Sequence, residues 1–561
     1  MKQESSRAFN LFFYISLAVL GIIYCIGMQL DLMDIDASTY GLISKEMFHS
    51  GSYLQLYLRG VDYLDKPPLV FWSACLAFKI FGVHDWAYRL PSVLCLVLGL
   101  YSLYRYTLLF YTERAAKIAV LIMASCMATC MMTSDVRTDT MLAGFVMFSL
   151  WQLAEFNRTL KLKNMVWGAV GIACAMMAKG PIGLIVPVTA FSVEFMYKRQ
   201  WKSFFRWQYL VALIVIAILL IPMSYGLYEQ FDLHPEKKMY EKLGTSGLRF
   251  YYWTQSFGRI TGESSWSNNP DPFFLYHSFL WTFAPWCVFF IPALFTEIRS
   301  KIKNFKSPGN TEMMSVSGFV LILIFLSRSK YQLPHYTFSI HPLAAVITAN
   351  YLDNYFSSEK KSKLFSVFYG LHVFLLMIMY VVMSIIVFFI FPAPIIVPSF
   401  IILSFACLMY LLFFSKFQYF PKVFIMTILS FATLTFIMVS YFYPRLQTYQ
   451  LGSYVAKEVN KVAPEGSKLI MYKDYSNFSM EFYSKLPIVE YADGKELKDS
   501  LVKGKTFILA DTTDIKTVQS ISPEAVVMGR FHDFPITNLS WDFLNPATRS
   551  ASMREKVLLR Y

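Results

Sequence analysis

The sequence predicts a polytopic α-helical membrane protein with about thirteen transmembrane helices, followed by a small C-terminal soluble α/β domain. Three observations lead there. The 561 residues are 56% hydrophobic, 18% aromatic and only 16% charged, with a mean hydropathy of +0.44, so the chain has more apolar surface than a soluble core hides. Apolar stretches of about 20 residues, the length that crosses a bilayer, recur along it. After residue 444 the composition changes to short strand-like runs separated by polar helical stretches.

By length and composition the spans fall near 9–30, 88–110, 116–133, 140–156, 164–178, 180–197, 208–227, 275–297, 312–327, 336–352, 366–391, 395–414 and 421–443. The first follows Lys2 and Arg7 like a signal peptide, but it is long and no small-x-small cleavage site follows, so it reads as an anchor. Orientation comes from the Lys/Arg bias of the short gaps. One set is basic: Arg114 and Lys117; Arg158, Lys161 and Lys163; Lys198, Arg199, Lys202 and Arg206; Arg299, Lys301, Lys303 and Lys306; Lys360, Lys361 and Lys363; Lys416 and Lys422. That set is expected in the cytoplasm. Residues 1–444 then form a transmembrane unit with outer loops 31–87 and 228–274, and residues 445–561 an outer-face domain.

A net charge of +14 could suggest nucleic acid, but the basic residues sit in gaps between apolar runs rather than on one soluble face, so no nucleic-acid partner is expected. All eight cysteines lie in or beside apolar runs without metal-ligand spacing, which implies neither a disulfide framework nor a zinc module. The C-terminal part, with strand-like runs Lys468–Tyr472, Ile488–Tyr491 and Thr506–Ala510 and a polar helical stretch Asp493–Leu501, carries no Cys, no GxGxxG and no Walker motif. It reads as a packing or acceptor-facing accessory unit.

Chemistry-bearing residues collect in the outer segments. After the first span stand Asp34 and Asp36, then Ile43, Met47 and Phe48 at a spacing that suits a helix lying in the membrane interface. Asp34 reads as a helix cap, whereas Asp36 is open between capping and chemistry. Asp65-Lys66-Pro67-Pro68 puts an acid–base pair on backbone stiffened by two prolines. Ser134-Asp135-Val136-Arg137-Thr138-Asp139 places three charges in a short gap, and Asp139 begins a helix, where it caps, answers the helix dipole or acts chemically. Lys179 lies between two spans, and the run Arg328 to Tyr336 between two more; snorkelling is the plain alternative for each lysine. Asp36, Asp65, Lys66, Asp139, Lys179, Arg259 and Lys330 come from separate outer segments. A bundle that gathers them at one mouth fits catalysis on an anionic, membrane-borne substrate.

In this order the segments resemble the GT-C superfamily of polyprenyl-phosphate-sugar-dependent glycosyltransferases, in particular the family 39 and aminoarabinose-transferase-like branch. The resemblance covers roughly residues 9–445. It rests on Asp36 to Tyr40 with Ser44 to Met47, Tyr63 to Pro68, Phe81-Gly82 with Arg89 to Ser92, Thr138-Asp139, Ala178 to Pro181, Arg259 ahead of Pro285-Trp286, and Ser329-Lys330 through Pro334 and Tyr336. Departures are Ala37 and Thr39, where the family often has an acid and an arginine. Some members carry metal-holding histidines near the counterpart of Arg259, but here the segment reads Tyr252 to Gly258 without one, so no metal or other cofactor is expected.

The resemblance implies transfer of a sugar from a polyprenyl-phosphate donor to a lipid of lipid A type, another glycan or a protein. The site would face the periplasmic side of the inner membrane. Lys66, Lys179, Arg259 and Lys330, with Tyr336 beside them, would hold the donor phosphate. Asp36 is first choice as general base for a hydroxyl acceptor, with Asp65 and Asp139 orienting the acceptor or binding sugar hydroxyls. One displacement would invert the anomeric configuration. The alternative from another class is a transporter or flippase of lipid-linked sugars, which would favour internal repeats and mid-membrane charge; neither is visible.

Overall fold

The computed structural model describes residues 2–240, 242–263, 267–309, 311–358, 362–416 and 419–561; Lys360 and Lys361 of one basic gap lie outside them. Each of the thirteen apolar segments is helical. Those used below are α1 (Lys2–Gly27), α4 (Asp85–Phe110), α5 (Glu113–Ala124), α6 (Met127–Ser134), α7 (Thr138–Thr159), α8 (Leu162–Lys179), α9 (Ile182–Tyr197) and α10 (Gln208–Leu227). The outer loop 31–87 adds α2 (Asp36–Ser50) and α3 (Leu69–Phe81). Among the described residues, six helices are long and apolar enough to cross a membrane unaided, and eight if each of two bent pairs is one span.

The bends separate the observed helices from an unbroken series of spans. The segment expected as 116–133 is divided into α5 and α6 at 57°, and that expected as 275–297 into Phe274–Thr282 and Cys287–Lys303 at 117°. Pro285 cannot supply the amide that a continuous second helix needs. The two breaks meet: Met127 N–H donates to the Ala284 carbonyl at 3.0 Å, and the Trp286 indole donates to Ser125 Oγ at 2.9 Å. Each thereby satisfies polar groups that the other exposes. Hydropathy does not register such a bend, because the apolar run continues through it.

Elsewhere the bundle packs through small residues. A Cβ on Gly144 of α7 would stand 2.2 Å from the Cys95 carbonyl of α4, and one on Gly99 would stand 3.0 Å from Gly144. These backbones touch as closely as helices do where glycine replaces a side chain.

The outer loop 31–87 differs from the expectation of a loop with an interfacial helix. Its α3 is a 13-residue apolar helix, and α2 buries Ala37 to Ser44 together with Met47, so it presents no free apolar face to a lipid interface. A Cβ on Gly41 would touch the Phe482 ring at 3.3 Å, which shows what covers α2. The cover comes from the C-terminal part.

Residues 468–560 form a five-stranded sheet in the order Ile488–Tyr491, Lys468–Tyr472, Thr506–Asp511, Arg554–Arg560, Val526–Asp533, the first three parallel and the last two antiparallel to their neighbours. Alternation along the strands splits the core into two layers. Leu469, Met471, Phe507 and Leu509 face helix Leu451–Val462 and the short helix Phe478–Tyr483. Ile470, Tyr472, Ile508 and Ala510 face Leu497 and Val518.

Helix Phe478–Tyr483 joins this sheet to α2. Lys45 Nζ donates to the carbonyls of Glu481, Phe482 and Ser484 at 3.0, 2.7 and 3.1 Å, ending that helix as a basic side chain ends a helix dipole. Asp34 accepts from Ser479 N–H at 3.1 Å and Ser479 Oγ at 2.8 Å as well as from Ser38 Oγ at 2.5 Å. Burial pushes the Asp34 carboxyl above its usual range against those hydrogen bonds. Asp34 is therefore a tether rather than the expected cap; the N-cap of α2 is Ile35, which has no capping side chain. Gln450 donates to the Leu32 carbonyl at 2.8 Å, and Lys457 pairs with Asp31 at 2.5 Å.

Lys45→Met keeps the stem and deletes all three charge-assisted hydrogen bonds. It is expected to destabilise the docked segment by about 2–3 kcal/mol, read as a lower unfolding temperature in detergent and faster proteolysis after residue 445. Unchanged values for both would contradict the tether.

Candidate active site

Local geometry places each charged residue at one end of the bundle. Gly180, at φ +90°, ends α8, and Pro181 starts the next turn, so Lys179 is held at a corner. The pair Asp65-Lys66 follows a hairpin of Tyr57–Leu58 and Val61–Asp62. Gln230 clamps that hairpin, donating to the Leu56 carbonyl and to Asp62 at 2.8 Å each. Lys237 pairs with Asp62 at 2.9 Å. Arg89, 2% exposed, donates to the carbonyls of Ser134, Met28 and Asp31 at 3.0, 3.2 and 3.1 Å, and so fixes the end of α6 against α1 and the start of the outer loop.

These elements enclose a cavity of about 770 Å³. Asp36, Asp65, Lys66, Asp139, Lys179, Arg259 and Tyr336 all line it. Lys330 does not. Its side chain is exposed and lies over Gly262, while its backbone carbonyl accepts from Asn268 N–H and Ser267 Oγ at 3.2 Å each. Phe478 and Thr537, from the C-terminal part, complete the lining.

The carboxylates are paired. Asp65 accepts from Lys66 Nζ at 2.6 Å and from the Gln255 amide at 2.7 Å. Asp139, 2% exposed, pairs with Lys179 and stands 3.8 Å from His335 Nε2. Asp36 pairs with Arg137 at 2.6 Å, and Arg137 also holds Asp135 at 2.8 Å. Neither Asp36 nor Asp139 caps its helix: the N-cap positions are Ile35 and Arg137, neither with a capping side chain. Asp36 remains 41% exposed on its side chain, which leaves carboxylate surface open toward the cavity.

The cations converge on aromatic rings. Lys179 Nζ sits 4.0 Å from the centroid of the Tyr336 ring. Arg259 donates to the Tyr336 hydroxyl at 2.8 Å and lies 5.4 Å over the Tyr331 ring. Tyr336 thus holds two cations, one by a cation–π contact at its face and one by a hydrogen bond at its hydroxyl. His335 is kept neutral: burial first, then the nearby Arg137, Lys179 and Lys66 charges, hold its imidazole well below the usual histidine range. Its Nδ1 lies 3.4 Å from Arg137, a geometry in which a neutral ring accepts there and keeps its proton on Nε2, toward Asp139.

Arg137, His335 and Gln255 are site residues that the sequence did not single out. The available signal for Arg137 was its place between two acids in a gap too short to leave three charges unpaired. Nothing in the spacing identified Gln255, which reaches Asp65 from 190 positions away. Among the described residues no group of three His, Cys, Asp or Glu side chains comes together to hold a metal. The cations that line the cavity are Lys66, Arg137, Lys179 and Arg259.

Fold and cavity define a polytopic membrane protein of the GT-C fold. The structure matches the crystal structure of ArnT from Cupriavidus metallidurans bound to undecaprenyl phosphate with a TM-score of 0.71 over 98% of both chains, at 16% identity, and the apo form of the same protein with a TM-score of 0.69. In sequence, residues 65–225 match the family model described as dolichyl-phosphate-mannose-protein mannosyltransferase. The undecaprenyl phosphate-alpha-4-amino-4-deoxy-L-arabinose arabinosyl transferase of Shewanella sediminis is 23% identical over 63% of this chain and 63% of its own. A transferase of the same name from Proteus mirabilis is 25% identical over 56% of this chain and 54% of its own. These matches span between about half and two thirds of the curated relatives' length. The resemblance to GT-C transferases of the aminoarabinose-transferase type thus holds in sequence and in fold.

The Asp139–Lys179 pair generates a direct test. Removing one partner of a buried pair strands the other charge, at a cost of about 3–5 kcal/mol. Asp139→Leu alone is expected to destabilise the protein by that order, and Asp139→Leu with Lys179→Met to recover part of it, in thermal unfolding of the detergent-solubilised protein. An additive double variant would show that the pair carries no coupling.

Proposed function

We propose that this protein is an integral-membrane glycosyltransferase that moves a sugar from a polyprenyl-phosphate donor onto a lipid acceptor of lipid A type, on the periplasmic face of the inner membrane. Its relatives' names make a 4-amino-4-deoxypentose the first sugar to test. One observation carries the reading: Lys66, Lys179 and Arg259, from three separate segments, line a single cavity that also holds four carboxylates, and Lys179 and Arg259 meet at Tyr336.

In the proposed reaction the donor phosphate lies among Lys66, Lys179 and Arg259. Arginine suits bidentate contact with phosphate oxygens, and each lysine acts as a point charge. As the anomeric C–O bond breaks, the electron pair leaves with the polyprenyl phosphate, and these preorganised cations stabilise the growing charge. The acceptor hydroxyl attacks the opposite face of the anomeric carbon and passes its proton to the open oxygen of Asp36. Arg137 holds Asp36 in place through the other oxygen. A single displacement inverts the anomeric centre. Lys330, exposed outside the cavity, shapes the loop through its backbone and is left out of the phosphate cradle. The charged groups lie at one end of the bundle, which gives the flippase alternative no support.

The same reading takes the thirteen helical segments as thirteen crossings, with the N-terminus in the cytoplasm and residues 445–561 in the periplasm. The Lys/Arg bias supports it. A cysteine introduced at Asp493 is expected to react with a membrane-impermeant maleimide in cells with a permeabilised outer membrane. Protection until the inner membrane is lysed would reverse the orientation and the placement of the site.

The activity test is sugar transfer by purified protein in detergent from a synthetic polyprenyl-phosphate donor to a lipid A acceptor, which transport cannot mimic without two compartments. Lys66→Ala, Lys179→Ala and Arg259→Ala are each expected to lower turnover about a hundredfold or more. Asp36→Asn should lower it by roughly two to four orders of magnitude with donor binding little changed. Normal turnover in two of the three cation variants would remove the phosphate cradle, and normal turnover in Asp36→Asn would remove the base.

A further inference from the structure

A second polar pocket lies at the other end of the bundle. It has a volume of about 300 Å³ and opens between the last turns of α4 and α7 and the first turns of α8. From Asp139 to Gln152, α7 rises about 20 Å, so the pocket is well separated from the cavity around Tyr336. The Lys/Arg bias assigns this end to the cytoplasm.

Three basic side chains line it: Arg105 from α4, Lys161 at the N-cap of α8, and Lys163 in its first turn. None of the three has an ion pair among the described residues. Arg105 is set in place by aromatic rings, 5.0 Å from the Trp151 centroid and 5.9 Å from that of Tyr101, with Tyr101 Oη accepting from it at 3.0 Å. A guanidinium stacked this way is oriented in advance, and its remaining N–H groups stay available. Gln152 also lines the pocket and is only 7% exposed.

Three cations, one of them a preoriented guanidinium, describe a receptor for a phosphate group. Trp167, 53% exposed, stands at the same rim, where tryptophan marks the level of lipid headgroups. A single acid, Glu155, lines the pocket as well, which leaves a net charge of about two positive units, suited to a monoanionic diester. Basic pockets between helices at the cytoplasmic side are general binding sites for anionic headgroups. We infer that this pocket binds the phosphodiester headgroup of an anionic glycerophospholipid of the inner leaflet. The site is distinct from that of the polyprenyl-phosphate donor and independent of the reaction proposed above.

The test is native mass spectrometry of the full-length protein released from detergent with increasing dioleoylphosphatidylglycerol. Dioleoylphosphatidylcholine and inorganic phosphate serve as comparison probes. Lys161→Gln with Lys163→Gln is the first variant, because both side chains are exposed and their loss leaves the helix packing intact; an unchanged unfolding temperature checks that. At roughly fivefold for each lysine removed, the affinity for one phosphatidylglycerol should fall about thirtyfold. Gln152→Leu, which fills the same volume without hydrogen-bonding capacity, should weaken retention too. Displacement of the lipid by millimolar phosphate in wild type but not in the variant would keep the phosphate site and reassign it to a soluble anion. Equal retention of phosphatidylglycerol by wild type and both variants would overturn the inference.

Discussion

Charge neutralisation at the mouth of an apolar bundle is the constraint from which the rest of this structure follows. A carboxylate or ammonium at the end of a membrane helix is tolerated only when it is paired or solvated, and here the cavity residues answer one another in fixed pairs. Asp65 has Lys66, Asp139 has Lys179, and Asp36 has an arginine that it shares with Asp135. Each pair fixes a backbone feature. The stop of α8 at Gly180 brings Lys179 to Asp139. The hairpin clamped by Gln230 carries Asp65, and the Arg89 latch holds the end of α6, after which the chain presents Arg137 to α2. The C-terminal sheet closes over this arrangement through Lys45 and Asp34, so α2 and its Asp36 are held from both sides.

Pairing also sets the terms on which an anionic substrate would enter. Buried ion pairs contribute little net stability, because desolvation offsets most of their attraction, and a cluster of them is an inexpensive store of oriented charge. In the proposed reaction a phosphate arriving between Lys66, Lys179 and Arg259 meets cations already aimed and largely buried. The carboxylate partners of the two lysines offset their mutual repulsion. Tyr336 adds a contact that a phosphate does not have to displace, since its ring face holds Lys179 and its hydroxyl accepts from Arg259.

The membrane class was legible from composition and from runs of apolar residues, because hydropathy is additive along the chain. Bends were not, since neither Ser125 nor Pro285 interrupts an apolar run; only contact between the two breaks shows where the helices turn. The helix Leu69–Phe81 was missed for the opposite reason: 13 residues are too few to count as a span, yet apolar enough to bury. In the site, the acids and bases at segment ends were legible one by one, and six of the seven converge. Lys330 was read as a site residue because its sequence position equals theirs, but side-chain direction, which position does not reveal, turns it outward. Arg137, His335 and Gln255 entered only through tertiary contact. The capping readings of Asp34 and Asp36 failed because the chain enters α2 with Ile35 at the cap position, and the two carboxylates are drawn instead to Ser479 and to Arg137.

Locating a polyprenyl phosphate in the bound state tests the central claim most directly. Cryo-electron microscopy of the protein in nanodiscs with undecaprenyl phosphate is expected to show the phosphate density in the cavity beside Tyr336, within about 4 Å of Lys66, Lys179 and Arg259, the range over which such charges pair. Density for the phosphate elsewhere on the protein, with those three side chains still engaged with Asp65, Asp139 and Tyr336, would contradict the account.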